Sequence, residues 1–90
     1  MNRIILDGKV IDSREAFFAA VRSQAGEDLM PGSNLDALYD CLTSLNVHTV
    51  IEVHCESALQ QALGDYWKRI LWVINDCLDE NRDLELQIHA

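Results

Sequence analysis

The chain has 90 residues, of which 49% are hydrophobic, and its formal net charge at pH 7 is -8. A chain of this length covers one small core, so we expect a single domain over residues 1–90. It has no apolar run long enough to cross a bilayer. The negative charge repels nucleic acid and anionic membranes and favours a basic protein partner, although acidity that only maintains solubility explains it equally well.

The cysteine and histidine positions do not indicate a disulfide framework or a metal site. The three cysteines are widely spaced in apolar surroundings: Cys41, Cys55 and Cys77. We therefore expect free thiols. The three histidines, His48, His54 and His89, lack the spacing of metal ligands, so neither a metal nor a cofactor is expected. The N-terminal apolar run is too short for a secretory signal, which favours a cytoplasmic location.

The first third of the chain predicts a strand, a helix and a loop. Residues 3–6 form a short apolar run that ends at the turn dipeptide Asp7-Gly8. Asp12, with Glu15 three residues later, predicts the start of a helix, and Gly26 predicts its end. Residues 27–32 contain the one proline and are expected to form a loop.

The rest of the chain alternates helices with strands. Ser33 is expected to cap a second helix that runs to about Ser44, and the β-branched run 47–53 predicts a strand covered on both faces. A short helix over 57–63, a long helix over 65–81 and a strand from residue 84 follow. This order predicts an α/β fold, a small three-stranded parallel sheet flanked by about four helices.

The second predicted helix carries a polar row opposite its apolar side. The row consists of Asp36, Tyr39, Asp40 and Thr43, at spacings of three and four residues. Asp36 lies in the first turn, where the helix dipole favours an anion. Asp40 lies in mid-helix, where aspartate is a poor helix former and no basic residue is three or four positions away. Helix geometry leaves two interpretations open, a binding role for Tyr39 and Asp40 or an ordinary solvated face.

The long predicted helix places an aromatic residue on its acidic side. Trp72 has Asp76 and Asp79 as its angular neighbours. An exposed tryptophan near charge is typical of protein interfaces, and packing against a neighbouring loop is the alternative.

Asp36 and Asp40 also raise the possibility of a general acid and base four residues apart. Such a pair needs a partly desolvated cleft that separates the two pKa values. The sequence supplies no phosphate-binding glycine loop, no nucleophile beside a histidine and no metal cluster. We therefore expect neither an enzyme nor a small-molecule substrate.

The run GSNLDALYDCLT, residues 32–43, closely resembles the signature of the barstar family, Gly-x-Asn-Leu-Asp-Ala-Leu-aromatic-Asp-Cys-Leu-Thr. The order of elements resembles that family along essentially the whole chain. Barstars are intracellular inhibitors of small guanyl-preferring ribonucleases of the barnase type. The resemblance implies a barstar-like fold and a basic ribonuclease partner, whose active site is filled by an acidic helix that imitates the phosphates of RNA.

The resemblance also implies roles for individual residues. Asp40 matches the aspartate that occupies the phosphate site and pairs with the arginines and catalytic histidine of the enzyme. Asp36 matches a second acidic contact, Asp76 matches a glutamate that forms a salt bridge with the enzyme, and Glu80 matches a further acidic position. The predicted partner-binding residues, with Trp72 added from helix geometry, are Gly32, Asn34, Asp36, Tyr39, Asp40, Thr43, Trp72, Asp76 and Glu80.

The sequence departs from the family pattern near the signature. Met30 and Pro31 replace two tyrosines that often precede it, and Leu45 replaces a tryptophan that follows it. Two hypotheses remain at this point. The first is an inhibitor of a secreted ribonuclease, or an immunity protein against a nuclease toxin; the second is a barstar-like interaction module that binds another basic protein, or itself, without inhibition.

Overall fold

The computed structural model describes residues 2–89, which form three strands and four helices. They follow the order β1 (Asn2–Asp7), α1 (Arg14–Ala25), α2 (Leu35–Ser44), β2 (Thr49–His54), α3 (Glu56–Leu63), α4 (Asp65–Glu80) and β3 (Leu84–His89). The strands form one parallel sheet in the order β1-β2-β3. The predicted α/β fold is therefore confirmed. Over residues 2–89 the structure has no helix with both the length and the apolar character needed to span a bilayer.

Two helices begin one residue later than their predicted caps indicate. Ser13, rather than Asp12, caps α1, since its hydroxyl accepts a hydrogen bond of 3.1 Å from the backbone amide three residues later. Asn34, rather than Ser33, caps α2 through a corresponding bond of 2.8 Å to its side-chain oxygen. In each case two adjacent residues are good caps, and the path of the preceding loop decides which one has the extended conformation that capping requires.

The core lies between one face of the sheet and the helices. The sheet contributes Ile4, Leu6, Ile51 and Val53. The helices contribute Phe17, Phe18 and Val21 from α1, Leu38, Cys41 and Leu42 from α2, and Trp67, Ile70, Ile74 and Cys77 from α4. Burial of each large apolar side chain stabilises the fold by about 1.5–3 kcal/mol. This packing fixes which sides of α2 and α4 face outward.

The opposite face of the sheet carries mainly polar side chains. The strand register places Asp7, His54 and His89 in one row across the sheet. Glu52, also on this face of β2, is buried and forms an ion pair of 3.1 Å with Arg3. The central strand is thus buried along both faces, as its sequence predicts, but polar neighbours from β1 and β3 flank it on this second face.

Candidate partner-binding site

The loop that leads into α2 is held in place by Arg22, in the last turn of α1. The guanidinium of Arg22 donates hydrogen bonds to the carbonyl of Met30 (2.9 Å), the carbonyl of Gly32 (3.1 Å) and the hydroxyl of Ser33 (2.7 Å). Hydrogen bonds from a charged donor are stronger than neutral ones. Arg22 therefore fixes the backbone at the start of the predicted binding segment, a role that no local sequence pattern indicates.

Gly32 and Met30 shape this loop in different ways. A Cβ atom on Gly32 would lie 3.2 Å from the Cβ of Ala37 and 3.4 Å from Nδ2 of Asn34, so a side chain here would press on the first turn of α2. Met30 is fully buried in the core, whereas Pro31 is exposed. Met30 thus supports the loop from inside the molecule, and its side chain is not available to a partner.

The polar row predicted for α2 is present on its outer side. Asp36 and Asp40 are both exposed, and within residues 2–89 neither carboxylate takes part in an ion pair. Tyr39 and Thr43 are partly buried, and the hydroxyl of Thr43 donates a bond of 2.7 Å to the carbonyl of Tyr39. The two carboxylates are therefore the most exposed side chains of this row.

The acidic residues of α4 lie close to this row, because α4 packs against α2. The pKa of Tyr39 is raised above its usual range by loss of solvation and then by the nearby groups Glu80, Cys77, Asp76 and Asp40. Tyr39 is thus surrounded by carboxylates from both helices. We call Asp36, Asp40, Asp76 and Glu80 the acidic face.

Trp72 extends the acidic face along α4. Its side chain is 73% exposed, which contradicts the alternative that it packs against a neighbouring loop. Trp72, Asp76 and Glu80 are spaced at four-residue intervals and therefore form one row along the helix. A large apolar surface lies at the end of a row of carboxylates.

Asn81 joins the ends of α2 and α4. Its side-chain amide donates hydrogen bonds to the carbonyls of Leu42 (2.9 Å) and Leu45 (2.8 Å), and its side-chain oxygen accepts one of 2.9 Å from the amide of Asp83. Carbonyls in the last turn of a helix lack partners within the helix. Asn81 satisfies two of them at the end of α2. The sequence pattern indicates only that the long helix ends near Asn81 and does not reveal this role.

The cysteines are free, as the sequence predicts. Cys41 and Cys77 are buried where α2 meets α4, and burial raises the pKa of each thiol. Both thiols are therefore neutral at pH 7, and a buried neutral thiol is chemically inert.

The site is an exposed acidic face on two packed helices, in which Arg22 fixes the loop before α2 and Asn81 fixes the end of α2. The search of curated proteins found no significant match. The family model described as barstar (barnase inhibitor) matches residues 1–90, the whole chain. The chain therefore belongs to the barstar family.

Proposed function

We propose that this chain inhibits a barnase-type ribonuclease by placing its acidic face in the active site of the enzyme, with Asp40 at the phosphate-binding position. Membership of an inhibitor family supports the role. The observation that carries the mechanism is the state of Asp40, an exposed carboxylate in the middle of a capped helix with no ion pair among residues 2–89. Such a group enters a cationic cleft without the cost of ordering a loop.

The other proposed contacts divide by chemistry. Asp36, Asp76 and Glu80 complement basic residues around the cleft, and Tyr39 and Trp72 provide aromatic surface. Gly32, Asn34 and Thr43 set the backbone that presents them. In this proposal Trp72 supplies aromatic contact area that other positions do not. Two positions that are often aromatic in the family hold a fully buried Met30 and a partly buried Leu45.

A binding role fits the acidic face better than a catalytic one. Asp36 and Asp40 are both exposed to solvent, whereas a general acid and base pair needs a desolvated site that separates the two pKa values. We therefore propose an inhibitor without enzymatic activity, which takes no small-molecule substrate and, at a net charge of -8, neither nucleic acid nor a membrane as partner.

The proposed partner is a basic ribonuclease that is secreted by the host, or a nuclease toxin against which this chain gives immunity. A cytoplasmic location is part of the proposal, since the three free thiols suit a reducing compartment.

The experiment compares Asp40→Ala with the wild type against barnase-type ribonucleases. Loss of one partner from a buried cluster of charges costs about 2–5 kcal/mol, so we expect affinity to fall by about 30-fold to several thousand-fold, mainly through faster dissociation. Asp40 is exposed, so the free energy of unfolding should change by less than about 0.5 kcal/mol. Inhibition constants, dissociation rates and thermal unfolding are measured together.

Asp12→Ala is the matched control. Asp12 is an exposed aspartate just before the N-terminus of α1, whereas Arg22 and the loop that it holds lie at the C-terminal end of α1. Equal inhibition by the two variants would show that Asp40 does not enter the phosphate site. A wild-type chain that binds another basic protein but inhibits none of these ribonucleases would instead support the non-inhibitory interaction module, or immunity against a different class of nuclease.

A further inference from the structure

Glu52, His54 and His89 form a second polar cluster, on the face of the sheet opposite the helices. Oε1 of Glu52 lies 3.2 Å from Nε2 of His54 and 3.9 Å from Nε2 of His89. One possible ligand atom from each of the three residues lies within 4.8 Å of the other two. The two imidazole rings are stacked, with centroids 4.5 Å apart and an interplanar angle of 3°.

The sheet brings these residues together although they are far apart in sequence. Glu52 and His54 are two residues apart on β2, so their side chains share one face of the strand. His89 is the register partner of His54 on the neighbouring parallel strand. Because His54 and His89 are paired only by strand register, the spacing of the histidines along the sequence does not reveal this cluster.

We propose that this cluster is a binding site for Zn²⁺. Two imidazoles and one carboxylate are a known ligand set for zinc, with water in the fourth position. Tetrahedral zinc with bonds of about 2.1 Å holds its ligand atoms about 3.4 Å apart. The distances of 3.2 and 3.9 Å from the carboxylate oxygen already lie near this value. Zinc binding requires the two stacked rings to turn so that both Nε2 atoms face the ion.

In this cluster the carboxylate is held in place and the two histidines are accessible to an ion from solvent. The side chain of Glu52 is only 10% exposed, and its other oxygen forms an ion pair of 3.1 Å with Nε of Arg3. Such a charged partner outside the ligand shell restrains the orientation of a ligating carboxylate. The histidine side chains are 36% and 44% exposed, so an ion can reach them. Asp7 lies in the same row, but one of its carboxylate oxygens accepts a hydrogen bond from the backbone amide of Lys9 in the turn after β1. We therefore do not include Asp7 among the ligands.

The chemistry of the ligands favours zinc over magnesium or calcium. Imidazole nitrogen suits zinc, copper and nickel, whereas magnesium and calcium prefer sites made only of oxygen ligands. The cluster also lies on the other side of the sheet from the packed helices that carry the acidic face. Zinc binding therefore goes beyond the proposed inhibition and does not depend on it.

The test titrates the full chain with ZnCl₂ in a calorimeter, without any ribonuclease. We expect saturable binding of one ion per chain, and a rise in Tm on the order of 10 °C when zinc exceeds its Kd a hundredfold. His54→Gln and His89→Gln should each weaken binding by at least about tenfold, since even changes around a ligand have effects of that size. Circular dichroism checks that both variants are folded.

His48→Gln is the control, because His48 lies at the other end of β2 and is 3.9 Å from a single carboxylate, that of Glu85. Cys55→Ser, next to His54, tests for binding by a thiolate. Both controls should keep the wild-type affinity. The proposal is overturned if the wild type shows no saturable binding, if either control weakens it as much as His89→Gln does, or if His54→Gln and His89→Gln bind as tightly as the wild type.

Discussion

Asp40 contributes little to the stability of the fold, because its carboxylate is exposed and, within residues 2–89, has no ion pair. Glu52 is the opposite case, since it is buried and paired with Arg3. Removal of Asp40 should therefore affect a partner and not the fold, whereas removal of Glu52 would leave Arg3 without its ion pair. The environment of each residue, rather than its charge, decides whether the carboxylate also contributes to the stability of the fold.

Cys77 should make the fold less stable in alkaline solution. Burial, followed by the nearby Asp76, Cys41 and Glu80, raises the pKa of its thiol from an ordinary value of 9.0 to about 11. Because the pKa is raised, at pH values between these two pKa values the folded state keeps a proton that the unfolded state has lost. The stabilisation from Cys77 is therefore complete below pH 9 and decreases as the pH rises. At pH 11 the loss of stability amounts to about 2 kcal/mol.

The measurement is the free energy of unfolding at several pH values from 8 to 11. Cys77→Ala should reduce the alkaline loss of stability relative to the wild type, and Cys55→Ala, at the partly exposed cysteine, should not. If the wild type and Cys77→Ala lose stability in parallel over this range, Cys77 is not the group responsible.

At the scale of elements, the position of α2 depends on contacts from other parts of the chain. A helix of 10 residues is marginal when isolated, so packing and contacts at its ends must hold it. Arg22 of α1 fixes the loop before it, and Asn81 at the end of α4 satisfies its final carbonyls. The position of α2, and of the acidic residues that it carries, therefore depends on the hydrogen bonds of Arg22 and Asn81.

Asn81→Asp should destabilise the protein strongly. The substitution keeps the shape of the side chain but replaces the donor to the carbonyls of Leu42 and Leu45 with an acceptor. Each buried carbonyl left without a partner costs about 1–3 kcal/mol, so we expect a loss of at least about 2 kcal/mol in chemical denaturation. Asn75→Asp, at an exposed position of α4, is the control. A change of similar size in both variants would contradict the proposed joint between α2 and α4.

The sequence predicts local features of this fold better than contacts between distant elements. Strand and helix positions follow from hydrophobic period and turn residues, and they agree with the structure to within about two residues. The outward position of Asp40 likewise follows from the apolar side of one helix. The roles of Arg22 and Asn81 depend on loop paths, and the pairing of His54 with His89 depends on strand register. No local pattern contains that information.

At the scale of the whole molecule, charge is distributed unevenly over the surface. Among residues 2–89, the ion pairs of Glu52, Asp65 and Glu85 do not involve the acidic face. The four carboxylates of that face therefore contribute to the net charge of -8 without local neutralisation. These carboxylates concentrate negative charge on the surface that we propose to meet a basic enzyme.

Association with a basic ribonuclease should therefore be fast at low salt and slow as ionic strength rises. Electrostatic steering accelerates association by about 10- to 1,000-fold, and the barnase–barstar pair is itself the reference case, so this magnitude comes from the family. The measurement is the association rate from low to high salt. Asp76→Asn with Glu80→Gln should slow association more than Asp12→Asn with Glu15→Gln, although each double variant removes two negative charges. Equal rates for the two would mean that only net charge matters, and a rate independent of salt would contradict steering altogether.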